Sequence, residues 1–234
     1  MESVQGIDAE IPFSKEECRR RIARVIEESG WPDSVLRLSV HWENKTSGAV
    51  IFITRKFKSY AEEIYRKGVT LKTAVPRRWN LKAQDSRIKA SQYTSGVMSV
   101  LDDPRSGARE YLFLNQDGLV AEGSVSNIFI VRGKRVLTPC VGSGILKGVT
   151  RDVVIGLAKK RGLEVVETFL TRHEIYTAGE CFITNTSSEI LPVVGVDGRK
   201  IGDGHPGEIT KMLAGEFKQN MQMSLRGAPR SLSG

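Results

Sequence analysis

A lysine in the stretch AQDSRIKASQY (residues 83–93) is the first candidate for covalent chemistry. Lys89 follows an isoleucine and precedes small residues. A lysine amine held in a site can form a Schiff base with a carbonyl compound, whereas most lysines simply lie on the solvated surface. The position of Lys89 alone leaves both interpretations open.

Three further stretches carry residue types that could complete such a site. Glu122 interrupts an apolar run just before a glycine and a serine, and a buried glutamate requires a cationic or hydrogen-bonding partner. The stretch GILKGVTRD (residues 144–152) leads into a predicted helix, and the free N–H groups at a helix start bind anions. The stretch FITNTSSEI (residues 182–190) is a predicted strand that ends in hydroxyl side chains.

Each of these patterns also has an ordinary structural explanation. Gly148 and Thr150 fit simple helix capping, and the hydroxyl run fits a turn. Glu122 fits a solvated turn residue and Lys89 a surface lysine. Together, however, an amine, an acid and a phosphate-binding helix start are the protein groups that a pyridoxal phosphate enzyme requires.

Composition excludes several other classes of function. The net charge is +8, but the densest basic run, CRRRIAR, is interleaved with glutamates on a predicted amphipathic helix. This pattern favours a solvated face over a nucleic-acid surface, and a basic nucleic-acid-binding protein is a weak alternative. The three cysteines and three histidines lack metal-ligand or disulfide spacing, which indicates no metal site and a reducing, cytoplasmic location. No apolar segment approaches the roughly 18 residues of a membrane span.

The elements that must position these residues are of mixed type. A helix from Ser14 to Gly30, a hairpin, a short helix and a strand are predicted up to residue 75. Residues 76–85 lack periodicity and are predicted to link two domains. After a helix over 86–101 come runs of short strands, with helices near 149–162, 172–178 and 206–221. Runs of strands rather than strict alternation predict an α+β fold. The predicted domains are 1–75 and 86–223, with a disordered tail over 224–234.

In this order and with these flanking patterns, the motifs resemble those of the fold-type IV pyridoxal phosphate enzymes, the class IV aminotransferases. RIKASQY is similar to the family's Schiff-base lysine segment, and DGLVAEGSVSNIFIV to the strand and turn that carry its glutamate. LTPCVGSGILKGVTRD is similar to the phosphate-binding helix start, and ECFITNTSSEILPVVGVDG to the closing pattern. Glu122 follows Lys89 by 33 positions, similar to the family's separation.

The resemblance implies a role for each matching residue. Lys89 would bind pyridoxal 5'-phosphate as a Schiff base and transfer the proton, and Glu122 would pair with the pyridine nitrogen. The other implied cofactor contacts are Tyr93, Leu146, Gly148, Val149, Thr150 and Thr186. The implied substrate contacts are Ser187, Ser188 and Arg37.

The resemblance also implies the architecture and the reaction. It predicts a two-domain fold, with a small α/β domain and a larger mixed β domain with flanking helices, in a homodimer. The family's N-terminal segment, with a phosphate-binding arginine, has no counterpart before the stretch MESVQGIDAE, so the small domain is expected to be shortened. The expected reaction moves an amino group between a branched-chain-like amino acid and a 2-oxo acid. The alternatives are an aminodeoxychorismate lyase and a non-catalytic relic of the fold with weak or no cofactor binding.

Overall fold

A computed structural model describes residues 11, 13–31, 33–43, 48–77, 85, 88–90, 94–104 and 106–227, with only the backbone for 224–227. The chain divides into two compact units between Ser59 and Tyr60. The predicted linker over 76–85 lies mostly outside the described residues. The predicted domain bounds therefore stay a prediction, although the elements after Tyr60 belong to the second unit.

Within the residues that the structure describes, the first unit contains one helix and one hairpin. Helix α1 (Lys15–Ser29) is followed by strands β1 (Ser34–Trp42) and β2 (Gly48–Lys56), which pair antiparallel. The Ser14 hydroxyl caps α1 by accepting from the Glu17 N–H at 3.1 Å, and the helix ends at Gly30 in the left-handed conformation. The predicted helix and hairpin are both confirmed.

The second unit is built around a nine-stranded mixed sheet. Its helices are α2 (Glu62–Lys67), α3 (Thr94–Asp102), α4 (Val149–Lys160), α5 (Arg172–Tyr176) and α6 (Glu208–Gly227). Its strands are β3 (Val69–Thr73), β4 (Glu110–Leu114), β5 (Val120–Gly123), β6 (Asn127–Arg132), β7 (Arg135–Pro139), β8 (Glu164–Thr168), β9 (Glu180–Asn185), β10 (Glu189–Val196) and β11 (Arg199–Lys200).

The sheet curls until its two ends meet. The strand order is β5-β4-β3-β10-β9-β6-β7-β8, with β11 paired to β10. The Val120 N–H of β5 donates to the Leu170 carbonyl, two residues beyond β8, at 2.7 Å. The first and last strands of the order therefore lie side by side, so the sheet has an inner and an outer face.

Alternation along the buried strands builds a core on each face of this sheet. Ile128 and Ile130 of β6 join the cluster that also contains residues of β3, β4, β10 and α5. Phe129 and Val131 join the second cluster, against α4 and α6. A strand buried on both faces has a continuous apolar sequence, which explains the run NIFIV.

Two predicted boundaries are wrong. The helix predicted over 86–101 begins only at Thr94, and residues 88–90 are not helical. There the Ala90 N–H donates to the Ile88 carbonyl, a two-residue spacing that is incompatible with a helical turn. At the other end of the chain, α6 continues to Gly227, past the predicted start of the tail at 224, and 228–234 lie outside the described residues. No helix in the described part of the chain is long and apolar enough to span a membrane.

The turn between β10 and β11 links three elements through one carboxylate. Asp197 accepts hydrogen bonds from the Thr73 N–H at 2.6 Å, the Thr73 hydroxyl at 2.5 Å and the Tyr176 hydroxyl at 2.7 Å. Partial burial raises the pKa of Asp197, but the bonds from Thr73 and Tyr176 outweigh it and hold the pKa below its usual range. An aspartate followed by a glycine predicts a two-residue hairpin turn, and the antiparallel pairing of β10 and β11 confirms this turn at Asp197 and Gly198.

We expect the Asp197→Asn variant to lose stability at neutral pH but not in acid. Asparagine tolerates the left-handed backbone of this turn, so the substitution removes mainly the charge, at a cost of about 1–3 kcal/mol for bonds to a charged acceptor. Folding lowers the pKa of Asp197. The stabilisation by its charge is therefore present above the pKa of 3.8 in the unfolded chain, and it is lost as the pH falls through the pKa in the folded protein. Urea unfolding over a pH series from 7 to below the unfolded pKa of 3.8 measures the change. The exposed Asp117→Asn variant is the control, and a gap that does not narrow as the pH falls below 3.8 would contradict the prediction.

Candidate functional site

Glu122 is a buried carboxylate at the end of β5. The residue is only 6% exposed. Its Oε2 accepts a hydrogen bond from the Leu146 N–H at 2.9 Å and another from Asn127 Nδ2 at 3.3 Å. Hydrogen bonds of this kind offset part of the cost of burying a charge. They also join Glu122 to the loop that precedes α4.

Asn127, which was absent from the predicted site, connects these groups. It begins β6, is buried, and also donates through Nδ2 to the Leu146 carbonyl at 2.8 Å. A Cβ added to Gly148 would lie 2.2 Å from Asn127 Oδ1. Hydrogen bonds therefore join Glu122, Asn127 and the backbone of Leu146 to one another, and Asn127 Oδ1 lies close to Gly148. The available sequence signal was an amide side chain immediately before the apolar run over 128–131.

The start of α4 has free donors. Its N-cap is Gly148, which supplies no side-chain hydrogen bond. Val149 at the first turn is 80% exposed, whereas Thr150 is buried. Backbone N–H groups at an uncapped helix start, together with the helix dipole, bind anionic groups such as phosphate. Predicted residues Gly148, Val149 and Thr150 thus lie where an anion could be held.

Arg151 fixes this helix start from within the protein. It is fully buried, and its Nη2 donates to Glu167 Oε2 at 2.7 Å and to the Pro139 carbonyl at 3.0 Å. These bonds join the first turn of α4 to strands β7 and β8. Sequence reasoning missed Arg151 because most arginines are exposed, and only the fold brings Glu167 to it.

The turn between β9 and β10 contains the predicted residues Thr186, Ser187 and Ser188. Strand β9 pairs with β6 so that Thr184 lies opposite Asn127, which places the turn at the same end of the sheet as Glu122. Asn185 Oδ1 accepts the Ser187 N–H at 2.8 Å and the Ser188 N–H at 2.7 Å. The buried hydroxyls of Thr184 and Ser188 have no hydrogen-bond partner among the described residues.

A second buried carboxylate supports the turn next to Glu122. Glu110 Oε1 accepts the Val125 N–H and the Ser126 hydroxyl, each at 2.8 Å. Burial raises the pKa of Glu110, and these bonds oppose that effect. A Cβ on Gly123 would lie 2.3 Å from Glu110 Oε1. Glycine is therefore required at 123, because the Glu110 side chain packs directly against it.

A cavity of about 940 Å³ opens beside these turns. Its walls include residues from both turns, from the segment before β4 and from the segment before α2, namely Asn185, Ser188, Ser124, Val125, Arg109 and Tyr60. The Arg109 guanidinium stacks over the Tyr60 ring at 4.1 Å. The cavity is thus lined by a cation, an aromatic ring and the turn that contains Ser188.

The other predicted site residues are not joined to this network by the contacts described above. Lys89 lies on an exposed, irregular segment before α3. Tyr93 falls outside the described residues. Arg37 lies on β1 in the first compact unit. The structure therefore brings together the acid and the helix start, and places the hydroxyl turn at the same end of the sheet.

We expect the Gly148→Ala variant to weaken binding of a phosphate-bearing cofactor by about tenfold, the value of one charge-assisted hydrogen bond. The added Cβ would displace Asn127 Oδ1 and so disturb the bonds to Leu146 and Glu122. Titration with pyridoxal phosphate measures the dissociation constant. The matched control is Gly156→Ala in the same helix, where a Cβ meets nothing within 4 Å. Equal affinity in both variants would contradict the prediction.

The sequence profile described as amino-transferase class IV matches residues 1–196. The chain therefore belongs to the class IV aminotransferase family. The predicted family and fold class are confirmed by this match and by solved structures of the same type.

Curated relatives extend the similarity to named enzymes. The branched-chain-amino-acid aminotransferase of Pseudomonas aeruginosa is 31% identical over 222 residues, covering 91% of this chain and 72% of that one. A protein of Methanocaldococcus jannaschii is 44% identical over 151 residues, which is 64% of this chain and 52% of its own length. The chain thus spans about half the length of some relatives that it matches.

Solved structures agree with these relatives. A branched-chain amino acid aminotransferase of T.th., crystallised with pyridoxamine 5'-phosphate, has a TM-score of 0.87 and 30% identity, covering 93% of this chain and 75% of that one. The Escherichia coli branched-chain amino acid aminotransferase has a TM-score of 0.85 and 27% identity, with 93% and 74% covered.

Proposed function

We propose that this chain is a pyridoxal phosphate-dependent aminotransferase that moves an amino group between a branched-chain-like amino acid and a 2-oxo acid. The observation that carries the proposal is the network in which the buried Glu122 and Asn127 bind the backbone of Leu146, in the loop just before the uncapped start of α4. The names of the relatives and of the similar structures support the reaction and the substrate class.

The described residues fit this cofactor. The uncapped helix start after Gly148 offers N–H donors to a phosphate, and the unpartnered Ser188 hydroxyl at the β9–β10 turn offers a further polar contact. The buried Glu122 carboxylate suits a cationic ring nitrogen. When bound as a Schiff base on Lys89, the cofactor would supply an electron-accepting ring.

The protein groups have separate tasks in this proposal. Lys89 would hold the cofactor covalently and then carry the proton at the substrate's α-carbon, for which its amine must be neutral part of the time. Glu122 would keep the ring nitrogen protonated, and Leu146 would pack against one face of the ring. Val149, Thr150 and Thr186 would hold the phosphate, and Tyr93 would contact the cofactor. Ser187, Ser188 and Arg37 would contact the substrate.

We further propose a cytoplasmic homodimer without nucleic-acid or membrane partners. The names of the relatives favour amino transfer over the lyase reaction. The hypothesis of a non-catalytic relic predicts that the cofactor does not attach specifically to Lys89. Locating the cofactor on the chain therefore tests both hypotheses.

The test is to locate the cofactor on the chain. Purified protein is mixed with pyridoxal phosphate, the visible absorption band is recorded, and the linkage is fixed by borohydride reduction. Mass spectrometry of the digest is expected to place the modification on Lys89, and leucine with a 2-oxo acid is expected to give the transferred products. Modification spread over exposed lysines such as Lys134, without turnover, would favour the relic and contradict the proposal.

A further inference from the structure

The turn between β9 and β10 contains an anion-binding arrangement that is already filled by the protein itself. The N–H groups of Ser187 and Ser188 both point at one oxygen, Asn185 Oδ1, at 2.8 and 2.7 Å. Successive backbone N–H groups that converge on one point form a concave site for anions. Here a neutral amide oxygen takes the place that an anion's oxygen would occupy.

A ligand carboxylate is a stronger acceptor than this amide. Hydrogen bonds to an ionised acceptor are shorter and roughly twice as strong as bonds between neutral groups. Exchange of Asn185 Oδ1 for a carboxylate oxygen would therefore be favourable at these two donors. The Asn185 amide would then have to rotate toward the cavity, whose wall it forms together with Ser188.

A further polar group of this turn lacks a partner. The hydroxyl of Ser188 is buried, in a residue that is 1% exposed, and it has no hydrogen-bond partner among the described residues. An unpaired buried hydroxyl costs free energy that a ligand or a water molecule can recover. The Ser188 carbonyl, in contrast, is held by the Tyr65 hydroxyl at 3.3 Å, so the turn itself is fixed.

We propose that Asn185 is a displaceable internal competitor for the substrate carboxylate and thereby sets the affinity of the enzyme for its acid substrates. This proposal rests on the proposed function, in which the turn at Ser187 and Ser188 receives the substrate. Asn185 acts on binding through the backbone of the turn and takes no part in the chemical step. Its variants should therefore change KM and leave kcat nearly unchanged.

Two substitutions with opposite expected effects test this role. Asn185→Ala frees both N–H groups, so the dissociation constant of 4-methylvalerate should fall about 2- to 10-fold, the value of one net hydrogen bond. Asn185→Asp places a carboxylate on the same donors, and this constant should rise by about tenfold or more because the competing bonds are charge-assisted. Calorimetry on the cofactor-loaded protein measures both, with uncharged 4-methylpentanamide as the control ligand.

The opposite signs separate competition from a structural role. If Asn185 only shaped the turn, Asn185→Ala would weaken binding, and that result would overturn the proposal. Because an added carboxylate also repels an anionic ligand, the loss in Asn185→Asp supports the proposal only together with the gain in Asn185→Ala. Should Asn185→Ala fail to fold, Asn185→Gly, which also removes the competing oxygen, decides in its place. Attachment of the cofactor to Lys89, measured on the same samples, reports separately on the proposed function.

Discussion

Replacement of Lys89 by alanine is expected to abolish amino transfer. The change removes the amine that would hold the cofactor and carry the proton, and general acid–base catalysis alone contributes about 100- to 10,000-fold to a rate. We therefore expect kcat to fall by about 1,000-fold or more, together with loss of the borohydride-sensitive absorption band. Stability should change little, since Lys89 is exposed and lies outside the helices and strands.

Two further variants show whether the amine itself matters. Lys89→Arg keeps the positive charge but has no amine that can deprotonate in a protein, so it should be as inactive as Lys89→Ala. Lys134→Ala removes an exposed lysine from the turn between β6 and β7 and should retain full activity. Initial rates of amino transfer from a branched-chain amino acid to a 2-oxo acid give kcat for all three variants. An active Lys89→Ala variant would refute the assignment of Lys89.

Local patterns predicted most of the elements correctly. The capped helix α1, the hairpin of β1 and β2, helix α4 and the turn at Asp197 all follow from rules that act over a few residues. The start of α3 was wrong because the small and polar residues between Asp85 and Thr94 have no strong periodicity, and the backbone at 88–90 is irregular. Near such a segment, helix propensity alone is a weak guide.

The site was predicted only in part because its positioning residues act through contacts that are distant in sequence. Glu122 and the start of α4 were predicted as site residues from their flanking patterns, and their roles stay predictions. Asn127 was missed, since its two bonds go to Leu146, 19 positions away, and to Glu122 across a turn. Glu110 and Arg151 were missed for the same reason, because their partners lie 15 or 16 positions away and meet them only in the folded sheet.

The Glu122→Gln variant is expected to lower kcat by about 100-fold. This is the lower end of the range seen when one preorganised electrostatic contact is removed from an active site. Glutamine preserves the size of the side chain and an oxygen that can accept the Leu146 N–H. It lacks the negative charge that would keep a ring nitrogen protonated. The cofactor should therefore still bind, with a weaker effect on its dissociation constant than on kcat.

The other buried glutamate at this end of the sheet supplies the matched control. Glu110 uses one oxygen to accept from Val125 and Ser126, and the amide oxygen of glutamine can keep both bonds. Glu110→Gln should therefore retain kcat within a few-fold, although it removes an equally buried carboxyl group. Steady-state kinetics and urea unfolding of both variants separate loss of charge at the site from loss of stability. An equal loss of kcat in the two variants, or an unchanged kcat in Glu122→Gln, would show that Glu122 is not the partner of the ring nitrogen. In that case its buried hydrogen bonds only hold the loop before α4.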